Sequence, residues 1–187
     1  MSIYVSILRG INVGGHNQIK MDVLRQLYAE LGFADIQTYI QSGNVVFRAE
    51  ATDTQTVEAA IANKIFNTLG FVVPVLVLTI DELRNALESN PFSSDPNMEA
   101  SFQHLTFLSA TPDGDLLSKI ASGNYSPDEY RCSGKTIYLY CPTGYGNTKL
   151  TNTFFEKKLK LTATTRNLRT ANELLAMAEK TEHNFLP

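Results

Sequence analysis

The sequence predicts an α+β fold in which one βαββαβ unit occurs twice. Three observations lead to this fold class. The spacing of the apolar residues alternates between strand and helix periods in the same order in both halves of the chain. Two predicted hairpins, 91 residues apart, share a Tyr, a Ser and a Gly. A segment rich in Pro and Ser, residues 90–96, lies between the halves and is typical of a boundary.

The elements of the first half follow from local patterns. Ser2–Arg9 is rich in apolar and β-branched residues, which is typical of a strand. From Met21 the apolar residues recur at helical spacing until Gly32, which ends the predicted helix. Two short strands, Asp35–Ile40 and Val45–Arg48, surround a turn at residues 41–44. The remaining predicted elements are an amphipathic helix over Val57–Leu69 and the strand Val72–Thr79.

The second half repeats this order. Its predicted strands are Phe102–Ser109, Glu129–Cys132, Lys135–Cys141 and Thr162–Arg166, and its predicted helices are Leu116–Ile120 and Leu150–Leu159. The order βαββαβ is that of ferredoxin-like folds. Duplication of one unit explains the repeat, and the alternative is a chance likeness between two hairpins. The matching residues are Tyr39, Ser42 and Gly43 in the first half and Tyr130, Ser133 and Gly134 in the second.

We therefore predict three parts along the chain. Residues 1–79 form the first ferredoxin-like half, 80–100 a connector that includes a helix over Ile80–Glu88, and 101–187 the second half with a C-terminal helix. That last helix is expected over Ala171–Ala178. Thr170 would be its N-cap residue, and a Glu follows three residues later in a capping-box pattern.

Composition excludes several classes of protein. With 187 residues, 43% of them hydrophobic and 19% charged, the chain is an ordinary globular protein rather than a disordered or fibrous one. The net charge of −3 is not that of a general nucleic-acid binder. Charge is uneven, however, because residues 145–170 carry six basic side chains and one acidic one.

The sequence also bears on location. It shows no signal-peptide pattern and no apolar run of the roughly 18 to 20 residues needed to span a bilayer, so we expect no membrane association. Cys132 and Cys141 are too few for a zinc site or a disulfide scaffold, and they are predicted to lie too far apart to pair. A cytoplasmic location is expected. The sequence indicates no particular oligomeric state.

The fold class predicts where polar residues meet. In a βαββαβ sheet the first and third strands are antiparallel neighbours, so the loop after the first strand should lie beside the turn before the third. This loop and this turn are rich in Gly, Asn and Ser. The candidate ligand-binding residues of this first cluster are Arg9, Asn12, Gly14, Gly15, Asn17, Gln41, Ser42 and Asn44.

A second cluster is expected in the second half, where the segment after the third strand should approach the end of the fourth. Its candidate ligand-binding residues are Asn147, Lys149, Arg166, Asn167 and Arg169. Cations, amides and glycine-rich loops at helix N-termini are suited to anions. A structural interpretation remains open for both clusters, because glycines and asparagines also form turns and cap helices.

Recognisable catalytic and cofactor motifs are missing. Gly10–Gly15 matches neither the P-loop nor the dinucleotide-binding pattern, so we expect no cofactor. There is no Ser-His-Asp arrangement and no metal-ligand spacing, so the catalytic residues, if any, are unknown.

Several strings resemble a known family. The signatures of the bacterial DUF1697 family, a domain of unknown function, are similar to the strings Leu8–Gly15, Thr38–Val45, Asn147–Asn152, Phe155–Glu156 and Ala163–Asn167. The resemblance implies a small cytoplasmic bacterial α+β protein. It implies no activity, cofactor or catalytic residue. Leu168 stands where such proteins place a Trp, which weakens any stacking role at that position.

The preferred functional hypothesis is binding of a small, phosphate-bearing anion by the two clusters. One alternative is an RNA or single-strand binding module, since sheets of this topology can stack bases on strand aromatics. Another is a protein-interaction module without a small ligand. The aromatic candidates for base stacking are Tyr4, Tyr39, Phe47, Tyr130, Tyr138 and Tyr140.

The first hypothesis makes a prediction for Arg166→Ala. Loss of the guanidinium should weaken binding of an anion while leaving the midpoint of unfolding nearly unchanged. Thermal unfolding with and without phosphorylated ligands measures both quantities. A large loss of stability without an effect on binding would assign Arg166 a structural role.

Overall fold

The first half folds as the pattern of apolar residues predicts. The computed structural model describes residues 1–184. The predicted order βαββαβ is confirmed, and most element ends lie within three residues of their predicted positions. The elements are β1 (Ser2–Leu8), α1 (Met21–Glu30), β2 (Ala34–Tyr39), β3 (Asn44–Ala49), α2 (Thr54–Leu69) and β4 (Val75–Thr79). Helix α3 (Ile80–Glu88) follows at the position predicted for the connector helix.

The second half repeats this arrangement. Its elements are β5 (Gln103–Leu108), α4 (Gly114–Ala121), β6 (Glu129–Ser133), β7 (Thr136–Tyr140), α5 (Asn152–Leu159), β8 (Ala163–Asn167) and the C-terminal α6 (Leu168–His183). Each half forms a four-stranded antiparallel sheet, with the orders β2-β3-β1-β4 and β6-β7-β5-β8. The α+β fold with duplicated ferredoxin-like halves is therefore confirmed.

The chain divides into two compact units. One unit comprises Met1–Asn85 together with the chain from Glu173 onward, and the other comprises Ala86–Asn172. The later turns of α6 belong with the first unit because Gln37 of β2 donates a hydrogen bond to Thr181, with 2.9 Å between Nε2 and Oγ1. Glu179 is paired with Arg84 in the same unit, at 3.3 Å.

In the first unit, helices α1 and α2 cover one face of the sheet. Leu24 and Tyr28 of α1 and Ile61 of α2 pack with Phe47 of β3, and all four are fully buried. Each such side chain contributes roughly 1.5 to 3 kcal/mol through the apolar surface that it removes from water. The hydroxyl of Tyr28 is satisfied inside this core, 2.7 Å from the Oγ of Ser6.

The other face of this sheet is buried as well. Val5 and Ile7 of β1 and Val46 of β3, which point away from α1 and α2, are fully buried. The hydrogen bond between Gln37 and Thr181 places α6 on this face, since Gln37 is directly opposite Val46 in the sheet. The central strands of the first unit therefore have no face exposed to solvent.

The second unit has the same construction. Helices α4 and α5 cover one face through Ile120, Phe155 and Leu159. On the opposite face, Leu105 and Tyr138 are buried, and the hydroxyl of Tyr138 donates to the carbonyl of Ala86 at 2.8 Å.

The Pro- and Ser-rich connector belongs to the second unit. Asn90 and Gln103 are buried and joined by a hydrogen bond of 2.9 Å, and Gln103 also donates to the carbonyl of Met98 at 2.7 Å. The segment is therefore folded against the second sheet rather than extended between two domains.

Two local predictions are wrong. Asn167 rather than Thr170 caps α6, because its Oδ1 accepts from the backbone N–H of Thr170 at 2.7 Å, and the helix begins at Leu168. The two hairpins also differ. Tyr39 pairs with Asn44 around a four-residue turn, whereas Ser133 pairs with Thr136 around a two-residue turn. The match in letters is therefore not a structural equivalence in either hairpin: Phe47 packs with α1 and α2, whereas the matching Tyr138 lies on the opposite face of its sheet.

The first hairpin turn requires glycine at position 43. Gly43 has φ +80°, and a Cβ added there would lie 2.7 Å from the Cβ of Leu8 and 2.8 Å from Cδ1 of Ile11. Leu8 donates its backbone N–H to the carbonyl of Gly43 at 2.8 Å. The turn can therefore approach the end of β1 only without a side chain.

Gly43→Ala is expected to lower the free energy of unfolding by about 2 to 4 kcal/mol, because overpacking adds to the strain of a left-handed residue. Gly70→Ala is the matched control, since Gly70 also has φ +80° but no atom within 4 Å of the added Cβ. Urea unfolding of both variants isolates the contribution of the close contact. Equal losses in the two variants would contradict this explanation.

Candidate functional site

The loop after β1 and the turn before β3 lie side by side, as the topology predicts. Ile7 is opposite Asn44 in the β1–β3 pair. This brings the segment 9–20 next to the turn 40–43. Both segments lie in the first unit, and between them they contain Arg9, His16 and Lys20 but no acidic residue.

Asn12 joins these two segments. Its Nδ2 donates to the carbonyl of Gln41 at 2.8 Å and to that of Ile19 at 2.9 Å, and its Oδ1 accepts from the backbone N–H of Ile19 at 2.8 Å. Its φ is +56°, in the left-handed region that Asn tolerates better than most residues. The side chain of Asn12 therefore holds the site in shape through three hydrogen bonds to the backbone.

The side chains of two other candidate asparagines also form hydrogen bonds with the backbone. Asn44 is fully buried, and its Nδ2 donates to the carbonyl of Tyr39 at 3.1 Å and to Oγ of Ser42 at 2.9 Å. Asn17 donates to the carbonyl of Gly10 at 3.3 Å. The structure thus brings the candidates of the first cluster together, but it uses their asparagine side chains largely for turns.

A cavity of about 430 Å³ opens beside the Asn12–Gln41 hydrogen bond. It is lined by Asn12, Gln18, Ile19, Lys20 and Gln41. This volume lies within the range of about 300 to 1,000 Å³ that is usual for small-molecule sites. The sequence analysis did not include Gln18 and Lys20 among the candidates, although both lie within three residues of Met21, where the predicted helix begins. Gly14 and Gly15 are exposed nearby in the same loop, with φ +58° and +80°.

Lys20 occupies an unusual position at the start of α1. It is the N-cap residue, with φ −66° and ψ 141°, and its side chain caps none of the N–H groups of the first turn. A cation at this end is unfavourable because the N-terminus of a helix carries partial positive charge. Asp22, the acidic residue of the first turn, is paired with Arg25.

The other helices of the described chain begin differently. Each has a side-chain oxygen that accepts from an N–H group of its first turn. These acceptors belong to Asp53 in α2, Thr79 in α3, Asp113 in α4, Thr151 in α5 and Asn167 in α6. The start of α1 therefore combines uncapped N–H groups, a lysine and a polar cavity.

The second cluster is only partly assembled. The ring of His104 stacks on that of Tyr145, with 4.9 Å between centroids, and His104 is opposite Asn167 in the sheet. The segment 145–149 therefore does approach the end of β8, as predicted. The Nδ2 of Asn147 donates to the carbonyl of Thr143 at 2.7 Å, and this hydrogen bond stabilises the turn that contains Asn147.

The cations of the second cluster differ in exposure. Lys149 and Arg169 are exposed, whereas Arg166 is half-buried. Arg166 donates to the carbonyl of Thr165 at 2.8 Å and to Oγ1 of Thr164 at 3.2 Å, and burial lowers its pKa to about 10, so that it stays charged at neutral pH. Arg166→Ala would therefore also remove contacts of the fold.

The aromatic residues considered for base stacking are not on an open surface. Tyr4, Phe47 and Tyr138 are at most 2% exposed. The hydroxyl of Tyr4 also donates to the carbonyl of Thr52 at 2.8 Å. Tyr39, Tyr130 and Tyr140 are half-buried.

The described residues, 1–184, offer neither a metal site nor a membrane-spanning helix. Within this range no three His, Cys, Asp or Glu side chains are grouped so that they could hold a metal ion. Over the same residues no helix is both long enough and apolar enough to cross a membrane. Cys132 and Cys141 are free thiols, and burial raises the pKa of both.

The fold and the site together define a class: a duplicated ferredoxin-like α+β protein with a polar cavity at one end of its first sheet. Within this class the chain belongs to the DUF1697 family of proteins of unknown function, whose family model matches residues 1–138. No curated protein matches the sequence significantly.

A solved structure has the same fold. It is that of the conserved bacterial protein SP0830 from Streptococcus pneumoniae, with a TM-score of 0.68 and 24% sequence identity. The match covers 95% of this chain and 98% of that one. The likeness extends over both units and shows the fold alone.

The half-buried His104 makes stability depend on pH. Burial lowers its pKa below the ordinary value of 6.5, so the unfolded chain binds a proton more readily than the folded one. Stability should therefore fall as the pH falls below about 6.5. In His104→Phe, which retains a ring against Tyr145, the loss of unfolding free energy between about pH 7.5 and pH 5.5 should be smaller. Equal pH dependence in the two proteins, measured by urea unfolding, would contradict this assignment.

Proposed function

We propose that the first unit binds a small, phosphate-bearing anion in the cavity at the N-terminus of α1. The observation that carries the proposal is the position of Lys20, a cation at the positive end of an uncapped helix. A bound anion would accept hydrogen bonds from the N–H groups of the first turn and neutralise the charge of Lys20. It would therefore satisfy the uncapped N–H groups and offset the repulsion between the lysine and the positive end of the helix.

The surrounding residues support an anion rather than a cation. The two segments that form this end of the unit contain no carboxylate, although the chain as a whole has a net charge of −3. Gln18 and Gln41 supply amide groups that can donate to phosphate oxygens. The Asn12 hydrogen bonds to Gln41 and Ile19 hold the loop and the turn together beside the cavity.

The proposal places the anion at the first cluster alone, whereas the hypothesis based on sequence used both clusters. Arg166 and Asn167 donate to or accept from the backbone of their own unit, so the second cluster has a structural use already. Buried sheet faces offer little support for nucleic-acid binding, because the central aromatics cannot reach a base. The cytoplasmic, bacterial setting implied by the sequence stays a prediction.

Lys20→Asp separates binding from folding. Asp is among the best N-cap residues, so the free energy of unfolding is expected to rise by about 1 kcal/mol. The same change places a carboxylate in the cavity, so the affinity for inorganic phosphate is expected to fall at least tenfold. Phosphate titration followed by amide NMR shifts of Gly14, Gly15 and Met21, together with urea unfolding, measures both effects.

Lys157→Asp is the matched control. Lys157 is exposed on α5 in the second unit, so the same change of charge there should leave phosphate affinity nearly unaltered. The proposal is wrong if the wild-type protein does not bind phosphate, or if Lys20→Asp binds it as tightly as the wild-type protein does.

A further inference from the structure

The two sheets of the described chain have four outer strands, and three of these carry features that hinder pairing with a further strand. The N–H of Val77 in β4 donates to Oε1 of Glu58 at 2.8 Å. In β8 the N–H of Ala163 likewise donates to Oε1 of Glu156 at 3.1 Å. The register of β2 shifts between residues 34 and 37, as in a β-bulge. Covered donors and bulges are features by which edge strands avoid association.

β6 is the outer strand without these features. It pairs with β7 in an unbroken register over its whole length, Glu129–Ser133, and contains no proline. Two of its side chains are well exposed, that of Arg131 to 58% and that of Glu129 to 40%. β6 therefore offers a regular and accessible edge to a further strand.

The hairpin register shows which backbone groups of β6 lie on the outer edge. Ser133 and Thr136 flank a two-residue turn and exchange hydrogen bonds, so alternate residues of β6 bond to β7. Tyr130 and Cys132 are the residues in between, and their N–H and C=O groups point outward. The carbonyl of Tyr130 accordingly accepts from Nη1 of the exposed Arg131 side chain at 2.8 Å. A further strand would find main-chain donors and acceptors here.

A second copy of β6 fits this edge by charge. Antiparallel pairing about a two-fold axis at Tyr130 places Glu129 of each copy directly opposite Arg131 of the other, where side chains of opposite charge attract. An axis at Arg131 would instead bring two guanidinium groups together. An axis at Cys132 would pair the strand with the turn at residues 134–135. The register with two complementary charge pairs is therefore favoured.

We propose that two copies of the chain associate through their β6 strands, so that the second sheet of one copy continues into that of the other. Main-chain hydrogen bonds join the strands, and the charge pairs fix their register. Strands of five residues make a contact smaller than the standard interface of about 1,600 Å². The dimer is therefore weak, forms at high protein concentration and dissociates as the salt concentration rises.

Two charge reversals test the proposal. Glu129→Arg and Arg131→Glu each place like charges opposite each other at both contacts, so each variant alone should self-associate at least tenfold more weakly than the wild-type protein. An equimolar mixture of the two variants should associate about as tightly as the wild-type protein. In the mixture the introduced arginine faces the introduced glutamate, and the native Arg131 of one variant faces the native Glu129 of the other. Sedimentation equilibrium measures all three.

The mixture separates association from effects within one chain. Arg131 and Glu129 also form an ion pair within the chain, at 3.1 Å, and both variants lose it. Mixing cannot restore that pair, so recovery can come only from contacts between copies. Asp22→Arg is the matched control, because it breaks the exposed pair with Arg25 in the first unit and should leave self-association unchanged.

Three results would overturn the proposal. One is a wild-type protein that stays monomeric up to about 1 mM, a concentration at which even small interfaces associate. Another is self-association that neither charge reversal weakens, because the contact would then lie elsewhere. The third is a mixture of the two variants that associates no better than either variant alone. Unfolding midpoints near that of the wild-type protein show that the variants are folded during the measurement.

Discussion

Burial of the central strands on both faces is the constraint on which the rest of the structure depends. In the first unit, Tyr4 and Phe47 face the helices α1 and α2, while Val5 and Val46 face the opposite side, and all four are buried. The two central strands in this state have no surface left on which to bind a ligand. Polar chemistry can therefore be presented only at the ends of the sheet, where the connecting segments leave the strands.

The end of the first sheet shows how this constraint is met. Gly43 allows the hairpin turn to approach Leu8 closely, and the hydrogen bonds of Asn12 then join that turn to the loop that precedes α1. Residues that the sequence pattern indicates as ligand-binding instead form the hydrogen bonds that shape the cavity. Beside this hydrogen-bonded backbone the cavity is lined by Lys20, Gln18 and Gln41 among others.

The start of α1 departs from the residue preference of helix N-termini. Five helices of the described chain begin with an acceptor that satisfies first-turn N–H groups, whereas α1 begins with a lysine. Local physics favours a Ser, Thr, Asp or Asn at this position. A position where the local preference is violated in an otherwise consistent fold is where a binding function is expected.

The sequence by itself determined the order of the elements and the meeting of distant segments. Helical and strand periods identify which face of each element is apolar, and the βαββαβ order then allows few topologies, so that β1 must end beside the start of β3. The juxtaposition of the loop with the turn followed from this rule alone. The duplication was visible for the same reason, because β3 and β7 carry the same pattern of apolar residues.

Only the tertiary structure decided what the polar residues do. Whether Asn12, Asn44 or Asn167 contacts a ligand or the backbone depends on which carbonyl or N–H lies within 3 Å, and sequence spacing does not encode that distance. The same holds for the face of each sheet that lies opposite its own two helices. Burial of this face depends on α6 in the first unit and on the connector in the second, and both are distant in sequence from the strands that they cover. Local patterns specify elements, whereas hydrogen-bond partners and burial arise when those elements pack.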